Sequence, residues 1–485
     1  MKVNDGQSET QRTSTDIIVI DSLHPEEGAM SQALYSRQPS SILMLLMKVF
    51  KNGANKFMAL FYSGYGHNSI GDCGTTTLYC ENVSMIAAKA IQASPLYNGQ
   101  EASTRYLDFK GRMMINPLLG YPKTCFAYVS KEMLDNKIIP DESTLFKSGI
   151  TISANKEGGN LATRIQERWM KFYEDHMSKV KTYVAELNPK QDAQSQEQYD
   201  KAINARAFDI MRAFIPAGMT TLVSWHSPIR HLRDRLNTMK YNPNDEVARF
   251  AYSSLHCLQE AYPSSFIQKE YPETEEYLKL KSKKVSYFNP TWTKDDDFLI
   301  DDFNLDKKDI LNYSELLINR PAKTELPHEI GECGTVRVQF KIDFGSFRDV
   351  QRHRKGVCKM PLLTTVHGFH QWYLDRLPKE SRSEALSLIE ELTPIINELP
   401  CSDIDRQYYI PMGFIVIADF TWTFDQCVYV AELRSSETVH ATLRVQAQRI
   451  ARWIKDFAPG TALHVNYEDD SWSYKRGSQD IIEKS

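Results

Sequence analysis

The chain's 485 residues are enough for two or three domains with sizeable cores. The formal net charge of −4 excludes a general electrostatic attraction to nucleic acid or an anionic membrane, so any basic site must be local. Eight cysteines without a Cys-x-x-Cys pair argue against a zinc knuckle and a secreted disulfide framework and fit a reducing cytoplasm, and the lack of any run of about 18 apolar residues leaves no spanning helix.

Residues 1–15 are polar with no apolar core, neither a signal peptide nor a membrane anchor, and are expected to form a disordered arm. Ile17 to Ile20 reads as a short strand, and Ser41 to Phe50 as a buried helix opened by a serine cap. Gly64, Gly66, His67, Asn68 and Ser69 make a turn-rich loop where small residues let a ligand approach the backbone. A strand over Thr75 to Tyr79 and a helix over Ser84 to Gln92 follow. The polar loop Ala93 to Tyr106 has the chemistry for a nucleotide phosphate: a hydroxyl at Ser103, a guanidinium fork at Arg105 and, at Glu101, an acceptor for a sugar or an arginine.

Residues from about 110 to 205 read as an insertion. Its Leu161, Ile165, Trp169, Phe172, His176, Val180, Val184 and Leu187 mark one long amphipathic helix, and Pro189 to Tyr199 a polar connector. Arg230, Arg233 and Arg235 sit on a further helix. The acidic stretch Asp295 to Asp302 reads as a solvated linker at the start of a second half. His367 and His370 lack a third ligand at fixed spacing, so no metal site is expected. Core helices are expected over Ser383 to Leu399, with Leu386, Ile389, Leu392 and Ile396 inward, and over His440 to Phe457, with Ala441, Val445, Ala447, Ile450 and Ile454 inward.

Two features organise the chain. Ile70, Gly71, Cys73, Gly74 and Thr75 recur 260 positions later as Ile330, Gly331, Cys333, Gly334 and Thr335, a self-similarity that points to tandem duplication of a whole domain. Beyond the second copy, Phe344 to Lys355 ends in Arg352, His353 and Arg354. On a helix these three would fan across about 200° of arc and grip two ligands at once.

These residues resemble the flavin-dependent thymidylate synthases, whose signature reads Arg-His-Arg, five residues, then Glu-x-Ser-x-Arg-Tyr. The second half keeps Arg352-His353-Arg354 but has Met360, Leu362 and Thr364 where Glu, Ser and Arg belong. The first half keeps Glu101, Ser103, Arg105 and Tyr106. In place of the cationic triplet it has Gln92-Ala93-Ser94, or Ala93 to Pro95 with a one-residue shift. Gly66-His67-Asn68-Ser69, Arg212-Ala-Phe-Ile-Pro216 and Leu433-Arg434 also resemble family segments, whereas Asp349 stands where the family has glutamine, and Thr423 and Tyr429 replace flavin-binding asparagines.

The resemblance implies an α+β fold of two tandem domains, 16–290 and 291–485, each a mixed sheet with long helices, packed as a pseudo-dimer with one composite site. It implies FAD as cofactor, with Arg352, His353, Arg354, Ser69 and Glu101 as candidate ligands. Methylenetetrahydrofolate and NADPH would be co-substrates, and dUMP would be held by Glu101, Ser103, Thr104, Arg105, Arg212, Arg352 and Arg434. Arg434, Arg352 and His67 are the candidate catalytic residues, and a homodimer of pseudo-dimers is the implied assembly. Rival expectations are a related pyrimidine nucleotide enzyme that hydroxymethylates, motivated by Asp349, and an inactive duplicate with a binding role.

Overall fold

The computed structural model describes residues 18, 20, 23–38, 40–122, 125–137, 147–148, 152–153, 157–191, 195–266, 271–288, 292, 296–301 and 304–468. The expected arm over 1–15 lies outside these residues. Of the strand expected at Ile17 to Ile20, Ile18 and Ile20 are described and belong to no strand.

Helices α1 (Pro25–Tyr35) and α2 (Ile42–Asn52) open the fold. The expectation of a buried α2 is corrected: Leu45, Leu46 and Val49 are buried, but Leu43, Met44, Met47 and Phe50 are about half exposed or more. Its apolar residues outnumber what one face of a two-helix layer covers. Ser41 precedes the helix but makes no capping hydrogen bond.

Strand β1 (Thr75–Ser84) runs into helix α3 (Met85–Gln92), whose first turn is capped by the Ser84 hydroxyl accepting from Ala87 N at 3.0 Å. Helix α4 (Gly159–Leu187), about 44 Å long, bears out the long amphipathic pattern, burying Ile165, Trp169, Phe172, His176, Val180 and Val184. The connector after it is shorter than expected, because Ser195 and Gln198 form a reciprocal capping box that starts α5 (Gln196–Met211). Strand β2 (Thr220–Pro228) pairs antiparallel with β1 and leads into α6 (Ile229–Met239) and α7 (Asp245–Ala261).

The second half shares part of this order, a long strand running into a short helix and later a strand running into two helices. The acidic stretch expected as a linker holds a strand, β3 (Phe298–Asp301), because four residues with apolar Phe298, Leu299 and Ile300 suffice to pair along β4 (Thr335–Asp343). β4 feeds α8 (Phe344–Val350), β5 (Val357–Lys359) forms the opposite edge, and α9 (Lys379–Asn397) crosses over. β6 (Ile415–Thr423), α10 (Phe424–Arg434) and α11 (Ala441–Phe457) complete it, in an antiparallel sheet of order β3-β4-β6-β5. Helix α9 starts earlier than expected, and Leu386 and Val445 point outward; Ala385 and Leu388, and Leu443 and Ala451, take the inward positions.

The equivalence shifts by one residue along the first strand. A bulge between Glu81 and Val83, with Asn82 at φ 56°, inserts a residue that β4 lacks, so Ser84 corresponds to Asp343. Lys89 then corresponds to Arg348, and Ala93-Ser94-Pro95 to the cationic triplet. Between the two caps and their partners, acid and hydroxyl change places. The Ser84 hydroxyl donates to the Glu246 carboxylate at 2.5 Å in the first unit, and the Thr442 hydroxyl donates to the Asp343 carboxylate at 2.5 Å in the second.

The units meet across two like segments, Ile215-Pro-Ala-Gly218 and Ile410-Pro-Met-Gly413. Ala217 N donates to Ile410 O and Met412 N to Ile215 O, both at 3.0 Å; Gly218 N donates to Tyr408 O at 3.1 Å and Gly413 N to Ala213 O at 2.8 Å. That exchange is two-fold symmetric. A Cβ on Gly218 would lie 2.6 Å from Tyr408 O and 2.8 Å from Ile115 O, both main-chain atoms that cannot swing away. Gly218→Ala is therefore expected to destabilise the protein by about 1–3 kcal/mol. Gly331→Ala, whose Cβ meets only ordinary contacts at 3.6–4.0 Å, should be near neutral; urea denaturation compares the two.

Packing divides differently from the chain order. One core gathers α1, α2, α3, α6 and α7 around Trp225. The other joins α4 and α5, from the expected insertion, to the second sheet and its helices around Trp169, Phe340 and Trp422. No helix among the described residues is long and apolar enough to cross a membrane.

Candidate functional site

Helix α8 stops at Val350, so the triplet does not fan around a helix as expected. His353 N closes on Val350 O at 3.1 Å, and the chain turns out toward Gly356, at φ 118°, and β5. Gly356 is required there: a Cβ would sit 2.3 Å from Thr421 O. The turn leaves Arg352 exposed, folds His353 inward at 6% exposure and lays Arg354 against the first unit. Arg434 Nε donates to His353 Nε2 at 2.7 Å, which places any ring proton of neutral His353 on Nδ1, and Arg434 Nη2 donates to Asp349 O at 3.0 Å. Burial, reinforced by Arg434, Arg354 and Arg352, holds the His353 pKa well below the usual imidazole range, so the ring is neutral at physiological pH.

The polar loop of the first unit closes on this turn. Arg354 Nη2 donates to Tyr97 O at 2.9 Å, and its guanidinium lies 4.9 Å from the centre of the Tyr97 ring. The Glu101 carboxylate accepts from Lys89 Nζ at 2.7 Å, from Gln92 Nε2 at 2.8 Å and from Arg348 Nη2. Arg348 also reaches Thr104 Oγ1 at 3.5 Å, and Ser103 Oγ accepts from Arg105 N at 3.2 Å. Arg105 grips Asp209 with Nε at 2.6 Å and Nη2 at 3.1 Å, leaving Nη1 for a ligand.

Asp349, one-fifth exposed, sits at the centre of the cations. Burial pushes its carboxyl up, but Arg212, Arg105, Arg352 and Arg434 outweigh it and hold the group well below the ordinary carboxylate range. Arg212 is 1% exposed; it donates to Ser346 Oγ at 2.7 Å and faces Asp349 at 3.4 Å and Asp343 at 3.7 Å, all in the second unit. Arg105 and Arg212 from the first half thus surround Asp349 together with Arg352 and Arg434 from the second, while Glu101 and Thr104 reach Arg348 and Arg354 reaches Tyr97, all within one chain.

His67 and Ser69 are placed elsewhere. His67 stacks with Phe61 and Tyr65, Asn68 accepts from Arg233 of α6, and no hydrogen bond or ion pair among the described residues joins this loop to the cationic cluster. No group of three or more metal-binding side chains occurs among the described residues.

At the symmetry-related position the chemistry is absent. Ala93-Ser94-Pro95 replaces the triplet, Met360 stands for Glu101, Gln407 for Arg212 and Met239, at the end of α6, for Arg434 at the end of α10. Phe288 lies across this edge, donating its N–H to Met360 O at 2.8 Å and accepting from Leu362 N at 3.0 Å.

Sequence reasoning passed over Lys89, Tyr97, Asp209 and Arg348. For Lys89 a signal existed: it is the one charge in the apolar run Met85-Ile-Ala-Ala-Lys-Ala-Ile-Gln92 and is fully buried.

The family model described as thymidylate synthase complementing protein matches residues 20–264, half of the chain. A UPF0159 protein of Chlamydia pneumoniae is 22% identical over 86% of this chain and 81% of its own length. Another, from Chlamydia muridarum, is 23% identical over 90% of each. A third, from Thermoplasma acidophilum, is 31% identical over 32% of this chain and 31% of its own.

Proposed function

The chain belongs to the family of thymidylate synthase complementing proteins, and from that premise we propose that it is a flavin-dependent thymidylate synthase that methylates dUMP to dTMP. Methylenetetrahydrofolate would provide the carbon and NADPH the electrons. The observation that carries this is the meeting of the Glu101–Arg105 loop with the Arg352–Arg354 turn and Arg434 inside one polypeptide. We propose further that the chain is a tandem duplication, with domains 16–290 and 291–485, and that two such chains form the working assembly.

The residues fit FAD as a planar, anionic guest. Arg352 is exposed, and Arg354 forms a flat cationic face on Tyr97. Arg352, His353 and Arg354 would hold it; bound flavin would supply the hydride. Ser103, Thr104 and Arg105 Nη1 would take the nucleotide phosphate as charge-assisted hydrogen bonds. Arg352 and Arg434 beside the uracil ring would stabilise negative charge developing on its carbonyl oxygen and so raise electron density at carbon five. Neutral His353, receiving the Arg434 Nε–H, would fix the angle of that guanidinium.

One observation favours the neighbouring reaction. Asp349 is an acceptor-only carboxylate among four arginines, where the family has glutamine, and a changed one-carbon product such as a hydroxymethylated nucleotide would follow from a changed charge there. Mass analysis of the product separates the two.

Since the symmetry-related position has lost its cations, one flavin per chain is expected. Absorbance titration with FAD should saturate at a ratio of one; two tight flavins per chain, or none in either redox state, would overturn the composite site.

A further inference from the structure

Lys89 and Arg348 occupy equivalent positions, each the fifth residue of its helix, and both reach the same carboxylate. Lys89 belongs to the helix whose own triplet is Ala93-Ser94-Pro95, so its charge serves the live site across the symmetry axis and not the degenerate one. The Glu101 side chain is 1% exposed, with Oε2 accepting from Lys89 and Gln92 and Oε1 from Arg348. A carboxylate so enclosed has no face left for a ligand. Yet it is two residues from Ser103 and four from Arg105, and Ala102 N is tied to Leu222 O at 2.9 Å.

We propose that Glu101, Lys89 and Arg348 are positioning residues: the carboxylate is fastened by one cation from each unit, and that fastening turns Ser103, Thr104 and Arg105 toward Arg352 and Arg434 without touching the nucleotide. This rests on the nucleotide reading given above and adds the way its site is held open.

The fastening has a charge dependence that can be measured. Lys89 faces Glu101 and Gln92 from its own unit, Arg348 and Arg352 from the second, and Cys358 on β5. Burial, with help from Arg348 and Arg352, lowers its pKa to about 8, against the pull of Glu101. Below that pH Lys89 is charged and binds Glu101 fully; above it the contact loses its charge. Tyr97 and Cys358 are pushed up beyond this range by burial, and the arginines stay charged, so Lys89 is the group in this cluster that titrates there.

Calorimetric titration with dUMP should show affinity falling about tenfold as pH rises through about 8 in the wild type. Lys89→Arg should flatten the profile, and Lys89→Met and Arg348→Gln should bind weakly throughout. Amide hydrogen exchange supplies a readout independent of ligand. Protection of Ala102 and Arg105, corrected for intrinsic rate, should fall about tenfold in Lys89→Met and Arg348→Gln while β4 amides hold. Unchanged loop protection in both variants, or wild-type binding of dUMP with an affinity that does not change through this pH range, would overturn the fastening. Loosened loops in a protein that does not bind dUMP would uphold it and overturn the nucleotide reading instead.

Discussion

Replacing Arg352 by alanine is expected to abolish turnover, by at least about a hundredfold, while leaving stability within about 0.5 kcal/mol of wild type. The two effects separate because Arg352 is exposed and yet sits within electrostatic reach of Asp349, Lys89, His353, Arg354 and Arg434. Arg105→Ala should abolish turnover too, at some cost in stability, since it strips the buried Asp209 of its bidentate partner. Mixing the two variants should restore little activity, because both half-sites of a chain close on each other and a mixed oligomer would hold only singly broken sites. Appreciable recovery would place the site between chains, and full activity in Arg352→Ala would sink the enzyme altogether.

Arg212→Ala should destabilise the protein by about 3–5 kcal/mol. The guanidinium is the cationic partner of Asp343 and Asp349 at the unit interface, is 1% exposed and bonds Ser346 as well. Removing it takes the guanidinium from the fully buried Asp343 carboxylate and leaves Asp349 with three of its four arginines. Pairing the change with Asp343→Asn should recover part of the loss in urea denaturation, since the stranded charge is then gone. A loss below about 1 kcal/mol for the single variant would mean that water reaches the interface.

The sequence announced the parts whose signal is local. The 260-residue recurrence fell on the turns that lead into β1 and β4, the apolar spacing from Leu161 to Leu187 matched one helix, and arginines from both halves of the signature converged on Asp349. What it hid depends on distance along the chain. Glu101 reads as an acceptor for a sugar or an arginine, and the choice between them stays hidden because its clamp, Arg348, comes from 247 residues away. Arg105 looked free because Asp209 lies 104 residues on. The strand Phe298–Asp301 was masked by its own aspartates, which set the composition of the stretch although the ladder needs only four residues. The triplet was drawn on a helix because nothing before Gly356 forbids one; the turn is imposed by β5, which must pair with β6.

The exchange of acid and hydroxyl between the two helix caps bears on how such a chain finds its own shape. Two similar units on one polypeptide can trade strands during synthesis, a common failure of tandem folds. Here a traded strand meets the wrong partner either way: β1 docked on α11 would set the Ser84 hydroxyl against the Thr442 hydroxyl, and β4 docked on α7 would press the Asp343 carboxylate onto that of Glu246. The first mating lacks its charge-assisted bond, and the second confines two like charges without water. Each unit thus offers its own strand a chemical polarity that the other carries reversed, so an exchanged strand would forfeit a buried bond in both units.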